Sequence, residues 1–106
     1  MSIKEVDPKT AQQMLADDPQ LQLLDVREPW EYEQAHISGA QLIPLGEVPS
    51  RYQELDASRP VLCVCAGGVR SMKAAEFLAE HGFSNVTNLG GGTKGWMRDQ
   101  LPVESA

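Results

Sequence analysis

The chain has 106 residues, enough for one domain that buries about two-thirds of its unfolded surface around a single core. Fifteen acidic against nine basic residues give a net charge of −6, which repels a nucleic-acid backbone and leaves a small anion as the better charged partner for any local basic patch. With 42% hydrophobic and 23% charged residues the composition is that of a soluble globular protein; no stretch approaches a membrane span, and Met1 to Glu5 holds no apolar signal region, so a cytoplasmic location without membrane contact is expected.

In chain order, Ile3 to Val6 predicts a short strand, and Asp7-Pro8 a helix start, with Asp7 as cap and Ala11, Met14 and Leu15 on the buried face. Leu21 to Val26 reads as a strand buried on both faces, with Asp25 at its carboxyl end. A short helix or turn begins at Pro29, Gln41 to Pro44 predicts a strand, and Pro49 to Leu55 a helix. Pro60 to Val64 is a β-branched central strand, Ser71 to Gly82 a helix with apolar positions at Ala74, Ala75, Leu78 and Ala79. Val86 to Leu89 follows as a strand, Gly90 to Gly92 as a turn passing near the preceding loop, and Thr93 to Gln100 as a helix capped by Thr93. Strands alternating with helices specify one three-layer α/β domain over residues 1–106 with a mainly parallel sheet. Sites in such sheets form outside the carboxyl ends of strands, where Asp25 and Cys65 both fall.

Two cysteines two positions apart on an extended segment would be strained as a disulfide. Cys63, Cys65, His36 and His81 lack the spacing of a zinc site, so no metal is expected. Cys63 lies inside an apolar strand and reads as packing, with a resolving thiol as the lesser alternative.

Cys65 is different because it opens the loop Cys65-Ala66-Gly67-Gly68-Val69-Arg70-Ser71, which leads into a helix. Unpaired amides and the positive end of the helix dipole favour an anion there, and two glycines let the loop curl inward. The dipole contributes up to about 2 kcal/mol, which moves a thiol from roughly 8.5 to roughly 7. Direct hydrogen bonds to the sulfur and the Arg70 guanidinium, acting on the anion or as a brace for the loop, must supply the rest. A nucleophilic thiolate at Cys65 is the expectation.

Three blocks of the sequence belong together. They are Leu24-Asp25-Val26-Arg27-Glu28-Pro29-Trp30-Glu31-Tyr32 with His36-Ile37-Ser38-Gly39-Ala40, the Cys65 to Arg70 loop with Ser71, and Leu89-Gly90-Gly91-Gly92-Thr93-Lys94-Gly95-Trp96. In this order they resemble the single-domain rhodaneses, a family of thiosulfate and persulfide sulfurtransferases, over nearly the whole chain. Ala35 departs from the pattern, since the family commonly has glycine before the histidine. The resemblance implies a five-stranded parallel sheet flanked by helices. It also implies that Cys65 carries the transferred sulfur as a persulfide, without a cofactor. The backbone of Ala66, Gly67, Gly68, Val69 and Arg70, followed by Ser71, would wrap that sulfur. Asp25 and Arg27 would hold loops together through an ion pair. His36 reads as a hydrogen-bonded structural histidine, His81 as a complement to a helix dipole, and Trp30 and Trp96 as core or rim aromatics.

Phosphatases with a cysteine over a helix N-terminus place arginine six positions on, whereas Arg70 is five after Cys65. The shorter ring suits one sulfur atom better than a tetrahedral phosphate. The expected function is ping-pong sulfur transfer from thiosulfate or a persulfide donor, small or protein-bound, to a thiol or cyanide. The alternative is a carrier module that receives persulfide sulfur from a partner protein with little turnover of small donors. Neither the physiological donor and acceptor nor the oligomeric state is legible in the residues.

Overall fold

Apolar, β-branched segments separated by turn residues become five strands, all paired in parallel. The computed structural model describes residues 3–105; Met1, Ser2 and Ala106, at the ends of the expected domain, lie outside that range. In chain order the elements are β1 (Lys4–Val6), α1 (Pro8–Asp17), β2 (Gln22–Asp25), α2 (Pro29–Gln34), β3 (Gln41–Leu42), α3 (Val48–Arg51), β4 (Val61–Val64), α4 (Val69–Glu80), β5 (Val86–Leu89) and α5 (Gly92–Arg98). The strand order is β1-β5-β4-β2-β3, with β4 in the centre. No helix among the described residues is long and apolar enough to cross a membrane.

Side chains alternate across β4, and this splits the core into two layers. Val61, Cys63 and Cys65 face the cluster containing Val48, Leu55, Ala74, Ala75 and Leu78, from α3, the turn after it and α4. Leu62 and Val64 face Val6, Ala11, Leu89 and Trp96 on the side of α1 and α5. Helices therefore cover both faces of a parallel sheet, the arrangement that lets its strands be apolar throughout.

Several boundaries differ from the sequence expectation. The helix expected over Pro49 to Leu55 is α-helical only at Val48–Arg51 and is flanked by 3-10 turns at Leu45–Glu47 and Tyr52–Glu54; tighter i to i+3 bonding closes such short segments at their ends. Helix α4 begins at Val69 rather than Ser71, directly after Gly68, whose φ of +105° breaks the helical path. Thr93 does not cap α5. Gly91 precedes that helix with φ +80°, and Thr93 lies buried in its first turn. Asp7 does cap α1, with Oδ1 accepting from the Thr10 amide at 2.8 Å. Ala35 adopts φ −165°, extended backbone that alanine enters without strain, so a glycine is not required there.

Two contacts set the geometry at the carboxyl edge of the sheet. Arg27, 4% exposed, chelates the fully buried Asp25: Nε donates to Oδ1 at 3.0 Å and Nη2 to Oδ2 at 2.8 Å. Its Nη2 also donates to the Ala35 carbonyl at 2.8 Å, tying the end of α2 to β2. On the other side, α5 comes so close to the loop after β4 that a Cβ on Gly92, at φ +59°, would collide with the Cys65 and Ala66 carbonyls.

Replacing Arg27 with Ala leaves a carboxylate buried without its partner and is expected to cost about 3–5 kcal/mol, read as a lower urea midpoint. Gly92→Ala meets both left-handed backbone strain and a backbone collision, and is expected to lose at least about 2 kcal/mol by the same measurement. A wild-type midpoint for either variant would contradict the corresponding contact.

Candidate active site

The cysteine at the end of β4 is 1% exposed, and its thiol is held by the start of the next helix. The Gly68 amide donates to Sγ at 3.1 Å, and the buried Ser71 hydroxyl donates to it at 3.3 Å. Burial pushes the Cys65 thiol up. The Ser71 hydroxyl, followed by the amides of Ser71, Gly68 and Gly67, outweighs burial and brings the thiol below its ordinary value. By contrast, burial pushes Cys63 up to about 12, with the neighbouring Cys65 charge a smaller cause. The two thiols are separated chemically although both lie on the α4 side of the sheet.

The amides face the sulfur because the loop carbonyls are held elsewhere. Thr93 N–H donates to the Cys65 carbonyl at 2.8 Å and Lys94 N–H to the Ala66 carbonyl at 3.0 Å. In a trans peptide the N–H of one residue points opposite to the carbonyl before it, so pinning Ala66 C=O toward α5 turns Gly67 N–H the other way. Asn88 acts at the far end of the loop. Its Nδ2 donates to the Gly68 carbonyl at 3.1 Å and to Glu5 Oε1 at 2.9 Å, while Oδ1 is buried without a partner.

Arg70 is not directed at the thiol. Nη1 and Nη2 bind Glu31 Oε1 and Oε2 at 2.8 and 3.0 Å, a bidentate pair joining α4 to α2. Those bonds hold the Glu31 carboxyl at about 2 against an ordinary 4.5. Arg70 feels the Cys65 charge, but less than it feels Glu31. Of the two roles expected for Arg70, contact with the anion or a brace for the loop, the geometry is that of a brace, because a carboxylate is within bidentate reach. The other loop residues contribute mainly backbone: Val69 is 70% exposed and Gly67 is exposed. The side-chain hydrogen bonds of Asp25 and Arg27 go to one another and to the Glu31 and Ala35 carbonyls, not to Cys65.

Both histidines and Trp96 have partners of their own. His36 is buried, stacks on Tyr32 with ring centroids 3.7 Å apart, and donates from Nδ1 to the Tyr32 carbonyl. His81 follows α4, with Nδ1 donating to the Phe77 carbonyl. Trp96 is core, its Nε1 donating to the Pro102 carbonyl at 2.8 Å, whereas Trp30 is 62% exposed. A groove of about 220 Å³ opens beside Ala66 between Trp30, Glu31, Thr93, Lys94 and Met97.

Glu5, Glu31, Asn88, Thr93 and Lys94 were not among the residues the sequence marked as functional. Asn88 carried a usable signal, as a polar residue inside the strand Val86 to Leu89 that needs buried partners. The contacts of the others depend on folding.

Known proteins resemble this chain in sequence and in fold. Residues 7–99 match the family described as "Rhodanese-like domain". The chain is 36% identical to a protein named "Sulfurtransferase" from Allochromatium vinosum, covering 95% of this chain and 94% of that one. It is 41% identical to the "Putative sulfur carrier protein YrkF" of Bacillus subtilis, covering 90% of this chain and 51% of that longer protein. The crystal structure of a rhodanese-like domain protein from Staphylococcus aureus superposes with a TM-score of 0.85 at 30% identity, over 97% of this chain and all of the other. A match of that extent, on the same parallel sheet, means that this chain belongs to the rhodanese-like domain family.

Proposed function

We propose that this protein is a sulfurtransferase in which Cys65 carries the sulfur as a persulfide. The observation that carries the proposal is the cradle around Sγ, where the Ser71 hydroxyl and the Gly68 amide donate to a sulfur whose titration is already brought down. Family membership and the sulfur-transfer names of the relatives support the same reaction class.

In the first half-reaction the Cys65 thiolate attacks the outer sulfur of the donor. With thiosulfate, the Sγ–S bond forms as the donor S–S bond breaks, and the bonding pair leaves with sulfite. The product is a Cys65 persulfide anion. In the second half-reaction a thiophilic acceptor such as cyanide attacks the terminal sulfur, and the electron pair of the persulfide bond returns to Sγ as thiolate. Cyanide leaves as thiocyanate. Neither step needs a general acid or an external redox partner. The N–H groups facing the loop centre stabilise the terminal sulfur anion as they do the thiolate.

The carrier alternative differs in turnover rather than in the intermediate, and the relative named as a putative sulfur carrier is what favours keeping it. Steady-state assay with thiosulfate and cyanide, together with intact-mass measurement of one added sulfur, separates the two. Turnover with the added mass indicates a transferase. Added mass from a persulfide donor with negligible turnover of small donors indicates a carrier.

Cys65→Ser is expected to abolish both the mass gain and the transfer; transfer at the wild-type rate would remove the proposed intermediate. The rate of persulfide formation should rise with pH as the thiol ionises and level off below the range of an ordinary thiol. Ser71→Ala removes a hydrogen bond to the anion and should move that inflection upward by about one pH unit. Asn88→Leu, which frees the Gly68 carbonyl, should move it in the same direction. An unmoved inflection in both variants would contradict control of the thiol by the loop.

A further inference from the structure

The groove beside Ala66 has two cationic side chains in its lining, Arg27 and Lys94, and a third cation, Arg70, is bound to the lining carboxylate Glu31. Two are committed. Arg27 is chelated to Asp25 at 2.8 Å, and Arg70 holds both oxygens of Glu31. Among the described residues, no carboxylate lies within ion-pair distance of Lys94. Its backbone N–H is bound to the Ala66 carbonyl at 3.0 Å, so its side chain originates directly beside the residue that follows the nucleophile. Trp30 and Met97, 62% and 42% exposed, give the same groove apolar walls.

On the sulfur-transfer reading above, we propose that Lys94, and not Arg70, anchors the anionic end of the sulfur donor while its outer sulfur reaches Cys65. The charge of the cation on the loop itself is offset by Glu31, which is bound to both Nη atoms of Arg70. Among the described residues no carboxylate offsets Lys94 in this way. Its ammonium is a point charge on a flexible stem and accepts a sulfonate or a carboxylate equally well. At about 220 Å³ the groove has room for thiosulfate or for the tail of a short organic persulfide. A local cation offsets the repulsion that a chain of net charge −6 exerts on an anionic donor.

Lys94 is therefore a specificity-determining residue for donors with an oxyanion tail. The test follows the first half-reaction alone, as the rate of Cys65 persulfide formation by intact mass. Three donors are used: thiosulfate, cysteine persulfide with its carboxylate, and the persulfide of 2-mercaptoethanol with an uncharged tail. Lys94→Gln should raise the thiosulfate concentration for half-maximal rate about tenfold and leave the maximal rate unchanged, the pattern of lost binding rather than lost chemistry. Lys94→Arg, which keeps the charge, should restore most of the affinity, and added salt should weaken wild type more than Lys94→Gln. A matching rise with cysteine persulfide extends the anchor to carboxylates, and a rise with thiosulfate alone restricts it to the sulfonate; both support the assignment. An unchanged thiosulfate response in Lys94→Gln, or an equal rise with the uncharged-tail donor, overturns it while sulfur transfer stands. A wild-type protein that gains sulfur from none of the three donors overturns the transfer reading, and the Lys94 assignment falls with it.

Discussion

Two backbone hydrogen bonds, from the Thr93 and Lys94 amides to the Cys65 and Ala66 carbonyls, govern the chemistry of this protein more directly than any charged side chain. A short loop has as many carbonyls as amides, and a nest for an anion forms only when the carbonyls find other donors. Here the first turn of α5 supplies them, and Asn88 does the same for Gly68. The arrangement requires two backbones closer than a side chain permits, which is why Gly92 stands under the loop. The anion cradle is thus a product of packing between two segments far apart in sequence, and its rigidity comes from β4 and β5 lying side by side in the sheet.

Charge is arranged around the cradle by pairing. Arg27 is taken up by Asp25 and Arg70 by Glu31, and both pairs involve the short helix α2 or the strand leading into it. These pairs keep α2 against the site edge and leave the thiolate to be stabilised by neutral donors. The Ser71 hydroxyl and the loop amides, rather than a guanidinium, are what bring the thiol below its ordinary value. The second thiol, Cys63, is held protonated chiefly by burial, with the neighbouring Cys65 charge a smaller cause.

Much of the fold was legible because its signals are local. The apolar runs at Leu21 to Val26, Pro60 to Val64 and Val86 to Leu89 mark buried parallel strands, and Asp7-Pro8 marks a helix start by capping chemistry that needs no tertiary partner. Where the expectation failed, a local signal competed with packing. Thr93 has the chemistry of a cap, yet the glycines before it allow α5 to begin earlier and press its amides onto the loop. For Arg70 the sequence left contact with the anion and a brace for the loop both open, and Glu31, 39 positions away in sequence, decides for the brace. Asn88 and Glu5 form a pair across 83 positions that no spacing rule announces.

By itself the sequence determined that a cysteine would sit between a buried strand and a helix start, in a parallel α/β sheet, because residue periodicity, glycine placement and capping act over a few residues. Only the tertiary structure decided which groups touch that cysteine. The sulfur receives the Gly68 amide and the Ser71 hydroxyl, and Arg70 turns away, because hydrogen-bond partners are settled by which donors and acceptors the folded backbone brings within about 3 Å of one another.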